Sequence, residues 1–416
     1  MSTTEPLGIF RFRGQAPVYL LGLGHGATHW IAAVFLFLQP YFKDELGLTY
    51  LQAGSLFAIF QASAFLANLG SGALVDVTGR RVVFQVLSLV IGAAALFVFG
   101  FTASYAVLAL MVALIGASNN LWHPPAMNFL SELYPHSRGY ALSIHALGAS
   151  IGDAVAPLAA GTLLTLMSWQ ATAMASALPA AVVAVVLLVL LLPRDLHADG
   201  GPRRRMAGRA YRAGLIGLLR DRAVLGLSVV AGLRAMAQNG LLVFLPFYLV
   251  EGLRMNPAMA GLALTAMHVG GLIASPIAGH VSDRIGRRPV VFAGLTLTTV
   301  TIIAATFVTD PRLYVATVAV LGFVLYAIRP VMQSWMLDLA PPDVSASATS
   351  VMFGVQAILS MLAPLAGGVI ADAYGLLAVF YFVAAVMLLA NLMVAILPYF
   401  APAMRGDQAP TISAER

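Results

Sequence analysis

An all-α integral membrane protein, with twelve transmembrane helices in two pseudo-symmetric six-helix bundles, is the fold class this sequence predicts. Three observations carry it. The composition is 60% hydrophobic and only 10% charged, with a mean hydropathy of +0.89, against about 45–50% apolar and about 25% charged in a soluble domain. Twelve apolar runs are long enough to cross a bilayer, which takes about 20 helical residues. The second half of the chain also repeats the first at a nearly fixed offset.

The runs follow one another with short gaps. The first, 17–41, holds GHGATHW, which sets His25 and His29 at i, i+4 on one helix face. Run 49–74 leads into GALVDVTGRR (72–81), and run 82–101 follows. Run 104–130 ends in NNLWHPPAMNFL (119–130), where Asn119, Asn120, His123 and a double proline interrupt apolar sequence. The prolines are expected to bend this helix, with freed backbone groups satisfied by neighbouring helices or cavity water. Run 139–167 contains GASIGDAVAPLAAG (148–161), and 170–192 completes the first set. The second set comprises 223–250, 257–281, 289–308, 312–338, 345–371 and 375–398. The expected domains are an N-terminal bundle over 1–192, a basic linker over 193–222, a C-terminal bundle over 223–398 and a tail over 399–416.

Charge is a topology signal here. Of the 23 basic residues 22 are arginine, and most lie in short runs between spans. Arg11, Arg13, Arg80, Arg81 and Arg138, the linker arginines, Arg284, Arg287 and Arg288, and Arg405 and Arg416 fall on one face. Lys43, Arg254 and Arg312 fall on the other, a ratio of 18 to 3. The excess marks the cytoplasmic side, so both termini are expected there, and no nucleic-acid partner is implied. The first apolar run reads as a retained span rather than a signal peptide. There is no cysteine, which excludes disulfides and thiol catalysis. No phosphate loop, H-E-x-x-H or G-x-S-x-G is present, so no enzyme, cofactor or nucleotide motor is expected.

The repeat is specific. GALVDVTGRR returns as GHVSDRIGRR (279–288) and APLAAG (156–161) as APLAGG (363–368), both offset by 207. LQP ending at Pro40 matches FLP ending at Pro246, and SELYP (131–135) matches LDLAP (337–341), both offset by 206. Six spans per half give both halves the same orientation, the parallel repeat of a transporter whose site lies between halves near the membrane midplane.

The doubled G-x-x-x-D-x-x-G-R-R resembles the signature of the major facilitator superfamily, and the resemblance covers nearly the whole chain. It implies a charged latch, Gly72, Asp76, Gly79, Arg80 and Arg81 with Gly279, Asp283, Gly286, Arg287 and Arg288, that closes the cytoplasmic side in one state. HPPAMNFLSEL and GASIGDAVAPLAAG are similar to the fosmidomycin-resistance type of exporter, the second to the glycine–proline motif of the antiporter branch. The spacing from Gly152 to Pro157 is looser than that motif's, and the fourth-span arginine of many proton-coupled members is absent, with His123 the nearest polar candidate.

Ionisable groups inside a bilayer cost at least about 2.5–3.5 kcal/mol each, which makes them functional candidates. Asp153 lies about 14 residues, roughly 21 Å, along the fifth helix. Desolvation disfavours a charged carboxylate, so Asp153 is the expected proton-coupling group, with His145 or His123 assisting. Arg234 and Arg329 are the deep cations; a guanidinium fork suits a carboxylate, phosphate or phosphonate. One of the two is expected to neutralise Asp153. Arg329 is the repeat-mate of His123 at offset 206. Arg234, Gln238 and Asn239 cluster on the seventh helix, and His25, Asn119, Asn120 and Gln356 are further candidate cavity residues. Five histidines within spans admit a metal pathway as a minor alternative, but no metal ligand set is expected. The resulting expectation is a monomeric secondary transporter of the bacterial inner membrane, exporting a small organic compound, anionic in the case the arginines favour, against protons. Proton-coupled uptake of an organic acid is the alternative, and a non-transporting receptor the reading from another class.

Overall fold

The computed structural model describes residues 15–195, 221–340 and 345–396, so the expected linker falls almost wholly, and the tail entirely, outside the described residues. The chain forms α1 Ala16–Glu45, α2 Tyr50–Thr78, α3 Arg81–Phe99, α4 Tyr105–Leu121, α5 His123–Leu133, α6 Arg138–Leu163, α7 Trp169–Leu190 and the short α8 Leu192–Asp195. After the linker come α9 Arg222–Phe247, extended by a π-helical turn over Tyr248–Gly252, α10 Pro257–Ile285, α11 Arg287–Ala305, α12 Pro311–Leu339, α13 Ser345–Tyr374 and α14 Leu376–Ile396. Taken as spans, with α4 and α5 as one, these are the twelve long apolar helices the sequence predicts. The chain is a multi-pass membrane protein.

Local chemistry sets the ends. Thr49 caps α2 through a capping box, and its repeat-mate Asn256 caps α10 by accepting from the Met259 N–H. Asp221 and Asp310 do the same for α9 and α12. Each cap satisfies one, and Asp221 two, of the four N–H groups a helix start leaves without an intrahelical partner. Gly79 and Gly286 end α2 and α10 at φ +68° and +96°, a region open to glycine and strained for other residues. The double proline acts as expected. Pro124 and Pro125 cannot donate to the preceding turn, and the fourth span is interrupted at Trp122 between α4 and α5.

The halves pack alike. α1 lies on α6 and α7, α2 on α4, and α3 on α7; in the second half α9 lies on α13 and α14, α10 on α12, and α11 on α14. The halves meet along α2 with α13 and α6 with α10. These seams obey the repeat. A Cβ on Gly54 would stand 2.1 Å from the carbonyl oxygen of Pro364, and one on Gly261 would stand 2.2 Å from that of Pro157. Both glycine and proline partners are 207 positions apart. Gly161 against Pro257 and Gly368 against Tyr50 form a second pair with the same relation. Without a hydrophobic driving force between helices in lipid, such backbone-to-backbone contact is a main source of association.

Contacts joining the halves gather toward one end. The Tyr50 and Leu51 N–H groups at the start of α2 each donate to the Asp372 carboxylate at 2.9 Å. The Tyr50 hydroxyl donates to Glu251, and Lys43 stands 3.6 Å from the same carboxylate and 4.2 Å above the Tyr50 ring. Thr265 donates to the Ala154 carbonyl at 2.6 Å, level with the middle of α6. Toward the other end, which carries the repeated latch motif, Gly70, Gly72, Gly139, Gly279 and Gly354 have nothing within 4 Å of a Cβ position.

Candidate functional site

The site starts from glycine packing. A Cβ on Gly148 would fall 1.9 Å from the carbonyl oxygen of Gly22, and one on Gly152 would fall 2.2 Å from that of Gly26. Helices α1 and α6 therefore touch backbone to backbone over two turns. This brings His25 and His29 of α1 against His145 and Asp153 of α6. Gly24 makes the third allowance, since its Cβ would meet the Trp122 ring at 2.1 Å. The break in the fourth span thus seats a fully buried indole against α1.

Four imidazoles share this space. His25 stacks on His145 with centroids 3.9 Å apart, and meets His29 and His123 edge-on at 4.8 and 4.9 Å. Hydrogen bonds fix the tautomers. The His25 Nδ1–H donates to the His145 carbonyl at 2.7 Å, because a carbonyl only accepts. That leaves His25 Nε2 buried and without a hydrogen-bond partner among the described residues. The Trp122 indole N–H donates to His145 Nε2 at 3.0 Å, so a neutral His145 carries its proton on Nδ1. Asn119 donates to the Thr28 carbonyl at 3.3 Å, which ties α4 to the same turn of α1.

Asp153 is the only acid in this cluster. Both its oxygens accept from His29 Nδ1, at 3.0 Å each. The hydrogen-bond partner of Asp153 is thus an imidazole, while Arg329, one of the two arginines expected to neutralise it, lies within electrostatic reach. The glycine seam brings an α1 side chain within hydrogen-bond distance of the carboxylate, and that side chain is His29. Arg234 is buried and donates to the Leu325 carbonyl at 3.1 Å, joining α9 to α12. Arg329 is exposed and lies within electrostatic reach of His123, Asp153, Arg234 and Tyr326. It has no hydrogen bond or ion pair among the described residues. His268 packs on Tyr326 with centroids 5.5 Å apart and also lies within reach of Asp153.

The remaining candidates divide. Asn120, Gln238, Asn239 and Gln356 are half-buried on α4, α9 and α13. In the first latch motif Arg81 is buried and paired with Glu132 at 2.6 Å, while Arg80 is exposed; the Asp76 side chain lies outside what is described. In the second, Arg287 holds Asp283 and, at 3.0 Å, Asp338. Arg288 donates to the Val394 and Ala395 carbonyls that end α14. These ion pairs stay within their own halves.

Several site residues escape sequence reasoning. His29 carried a signal, its i, i+4 relation to His25, but nothing in the sequence assigned it to Asp153. Trp122 sat beside a candidate and looked like packing. Asp372 and Glu251, which lock one end, look like ordinary loop-side acids.

A family model described as Major Facilitator Superfamily matches residues 20–256 and 227–415. The chain belongs to the major facilitator superfamily. Membership makes it a membrane transporter rather than an enzyme. A putative metabolite transport protein of Haemophilus influenzae is 24% identical over 365 residues, covering 85% of this chain and 88% of that protein. The multidrug resistance protein MdtG of Salmonella dublin is 24% identical over 387 residues, covering 87% and 90%. Among solved structures, a bacterial homologue of the human lysosomal transporter Spinster, inward-facing and occupied, superposes with a TM-score of 0.73 at 16% identity, covering 94% of this chain and 97% of that one. The nucleoside transporter NupG gives 0.77 at 11% identity, covering 93% and 100%. For this member of the superfamily, the likeness to solved structures confirms the twelve-helix, two-bundle fold.

Proposed function

We propose that the protein is a proton-coupled secondary transporter of the bacterial inner membrane that exports a small organic compound by alternating access. The observation that carries this reading is the Asp153–His29 pair, a carboxylate and an imidazole at 3.0 Å in the middle of α1 and α6. Their side chains are 31% and 27% exposed, so the pair meets the space between the halves instead of being sealed in either one. Proton exchange at such a pair can be tied to which side the cavity opens. His145, held between the Trp122 indole and His25, acts as a support that positions His25.

The gathering of inter-half contacts at the Asp372 end supports a state open toward the latch motifs, which the arginine distribution puts in the cytoplasm with both termini. Among the described residues, the ion pairs of Arg81 and Arg287 stay within their own halves, which accords with a latch that is not closed across the interface. Arg329, exposed and unpaired among the described residues, is the group suited to an acidic substrate function; Arg234 is the structural arginine. The multidrug and metabolite transporters among the relatives favour export of an organic compound over the other classes. Flux into proteoliposomes under an imposed pH gradient tests the proposal. Asp153→Asn should reduce gradient-driven transport to the level of empty vesicles, and wild-type rates in that variant would refute the coupling role.

A further inference from the structure

We propose that His25, His29 and His123 form a binding site for a divalent transition-metal ion of the zinc class. No ligand set could be named from sequence, because the third ligand is remote in the chain from the first two. One donor nitrogen from each ring falls within 4.8 Å of the others. A tetrahedral zinc with bonds of about 2.0–2.1 Å holds its nitrogens about 3.4 Å apart. Side-chain shifts on the order of 1 Å close that difference, which the half-buried His29 and His123 can supply around the buried His25.

Two of the three donors are already turned for ligation. The His145 carbonyl fixes His25 with its proton on Nδ1, leaving the Nε2 lone pair buried and unpartnered among the described residues. An unpaired buried acceptor is destabilising, and a metal ion at Nε2 would supply the missing partner. Asp153 does the same for His29. Both carboxylate oxygens accept the hydrogen bond from the Nδ1–H, directing Nε2 away from the acid. Imidazole ligands in metal sites are oriented in this manner, by a carbonyl or a carboxylate on the far nitrogen. Asp153 is then an orienting group and not a ligand.

The donor set selects the ion. Three neutral nitrogens without thiolate suit zinc, nickel or copper, whereas magnesium and calcium take oxygen ligands. Three protein ligands also leave one coordination position open. Access fits, since His29 is 27% exposed and His123 half-buried while His25 closes the back of the site. A bound ion would tie α1 to α5 across the break at Trp122. The site stands on this geometry and does not require the organic-substrate reading.

The test uses the full chain purified in detergent with its affinity tag removed, dialysed against zinc chloride and assayed by elemental mass spectrometry. Cobalt chloride serves as a spectroscopic probe of tetrahedral nitrogen ligation. About one zinc equivalent per chain is expected, with a raised unfolding temperature because the ion binds only the folded state. His25→Ala and His123→Ala should each lower zinc affinity at least ~10-fold, and Asp153→Asn by ~10–100-fold. His136→Ala and His280→Ala, on exposed residues, should leave it unchanged. If the alanine variants do not elute as folded protein, His123→Gln, which keeps bulk without a ring nitrogen, is read in their place. Folded wild type without stoichiometric zinc overturns the proposal. So does an equivalent that survives His25→Ala combined with His123→Gln, or one lost on replacing His136 or His280.

Discussion

At the level where the halves face each other, the first carries four imidazoles and an acid, and the second carries two guanidiniums and one imidazole, His268. His123 and Pro124 correspond at offset 206 to Arg329 and Pro330, and Asp153 at offset 207 to Ser360. His25 and His29 correspond at offset 206 to Ala231 and Ala235, and Thr28 to Arg234. The backbones agree closely enough that paired glycines and prolines repeat their contacts across the seam. A duplicated scaffold has kept its packing residues and diverged where side chains meet the cavity. The first half gathers imidazoles around a carboxylate; the second sets two guanidiniums alongside the imidazole of His268.

Breaking the acid side should have the largest effect. Asp153→Asn leaves volume and most hydrogen bonding but removes the exchangeable charge, so pH-driven flux should vanish while substrate binding, read by tryptophan fluorescence, persists. If binding vanished equally, the two halves would not divide the work.

Next comes the seam that builds the first half's site. Gly148→Ala drives a methyl group into the Gly22 carbonyl, 1.9 Å from its position, so α1 and α6 must part. Overpacking costs typically about 1–3 kcal/mol. The expected outcome is a lower unfolding temperature together with lost coupling, whereas Gly139→Ala, with open space around it, should change neither.

The two arginines should then separate. Arg329→Lys should weaken an anionic substrate by roughly 10-fold, the scale of one charge-assisted hydrogen bond of about 1.5–3 kcal/mol, with little change in stability. Arg234→Lys should do the reverse, because it loosens a buried bond to the Leu325 carbonyl. Equal effects in both assays from both variants would erase the assignment.

The smallest effect is expected at the locked end. Asp372→Asn weakens a charged cap on α2 worth about 0.5–2 kcal/mol and should shift the population toward opening at that end. Because the chain has no cysteine, a single cysteine introduced near Tyr50 reports the shift by its labelling rate, with no background. An unchanged rate would mean that the glycine–proline contacts alone hold this end shut.

Much of this was legible in advance. The twelve spans and the break at the double proline follow from hydropathy and from prolines that lack an N–H. The two-bundle architecture follows from the offset of 206 to 207. GASIGDAVAPLAAG stood out by its likeness to a glycine–proline motif, and Asp153 as the one deep acid.

The sequence by itself determined which residues are confined to the membrane and which are repeated, because lipid enforces helix length and periodicity locally along the chain. Only the tertiary structure decided partners. That Asp153 meets His29 and not an arginine, that Trp122 fixes His145, and that three imidazoles converge all depend on how close α1 comes to α6. That distance is set by backbone contact between glycines remote in sequence, and no local pattern encodes which side chain such a contact will bring to a buried charge.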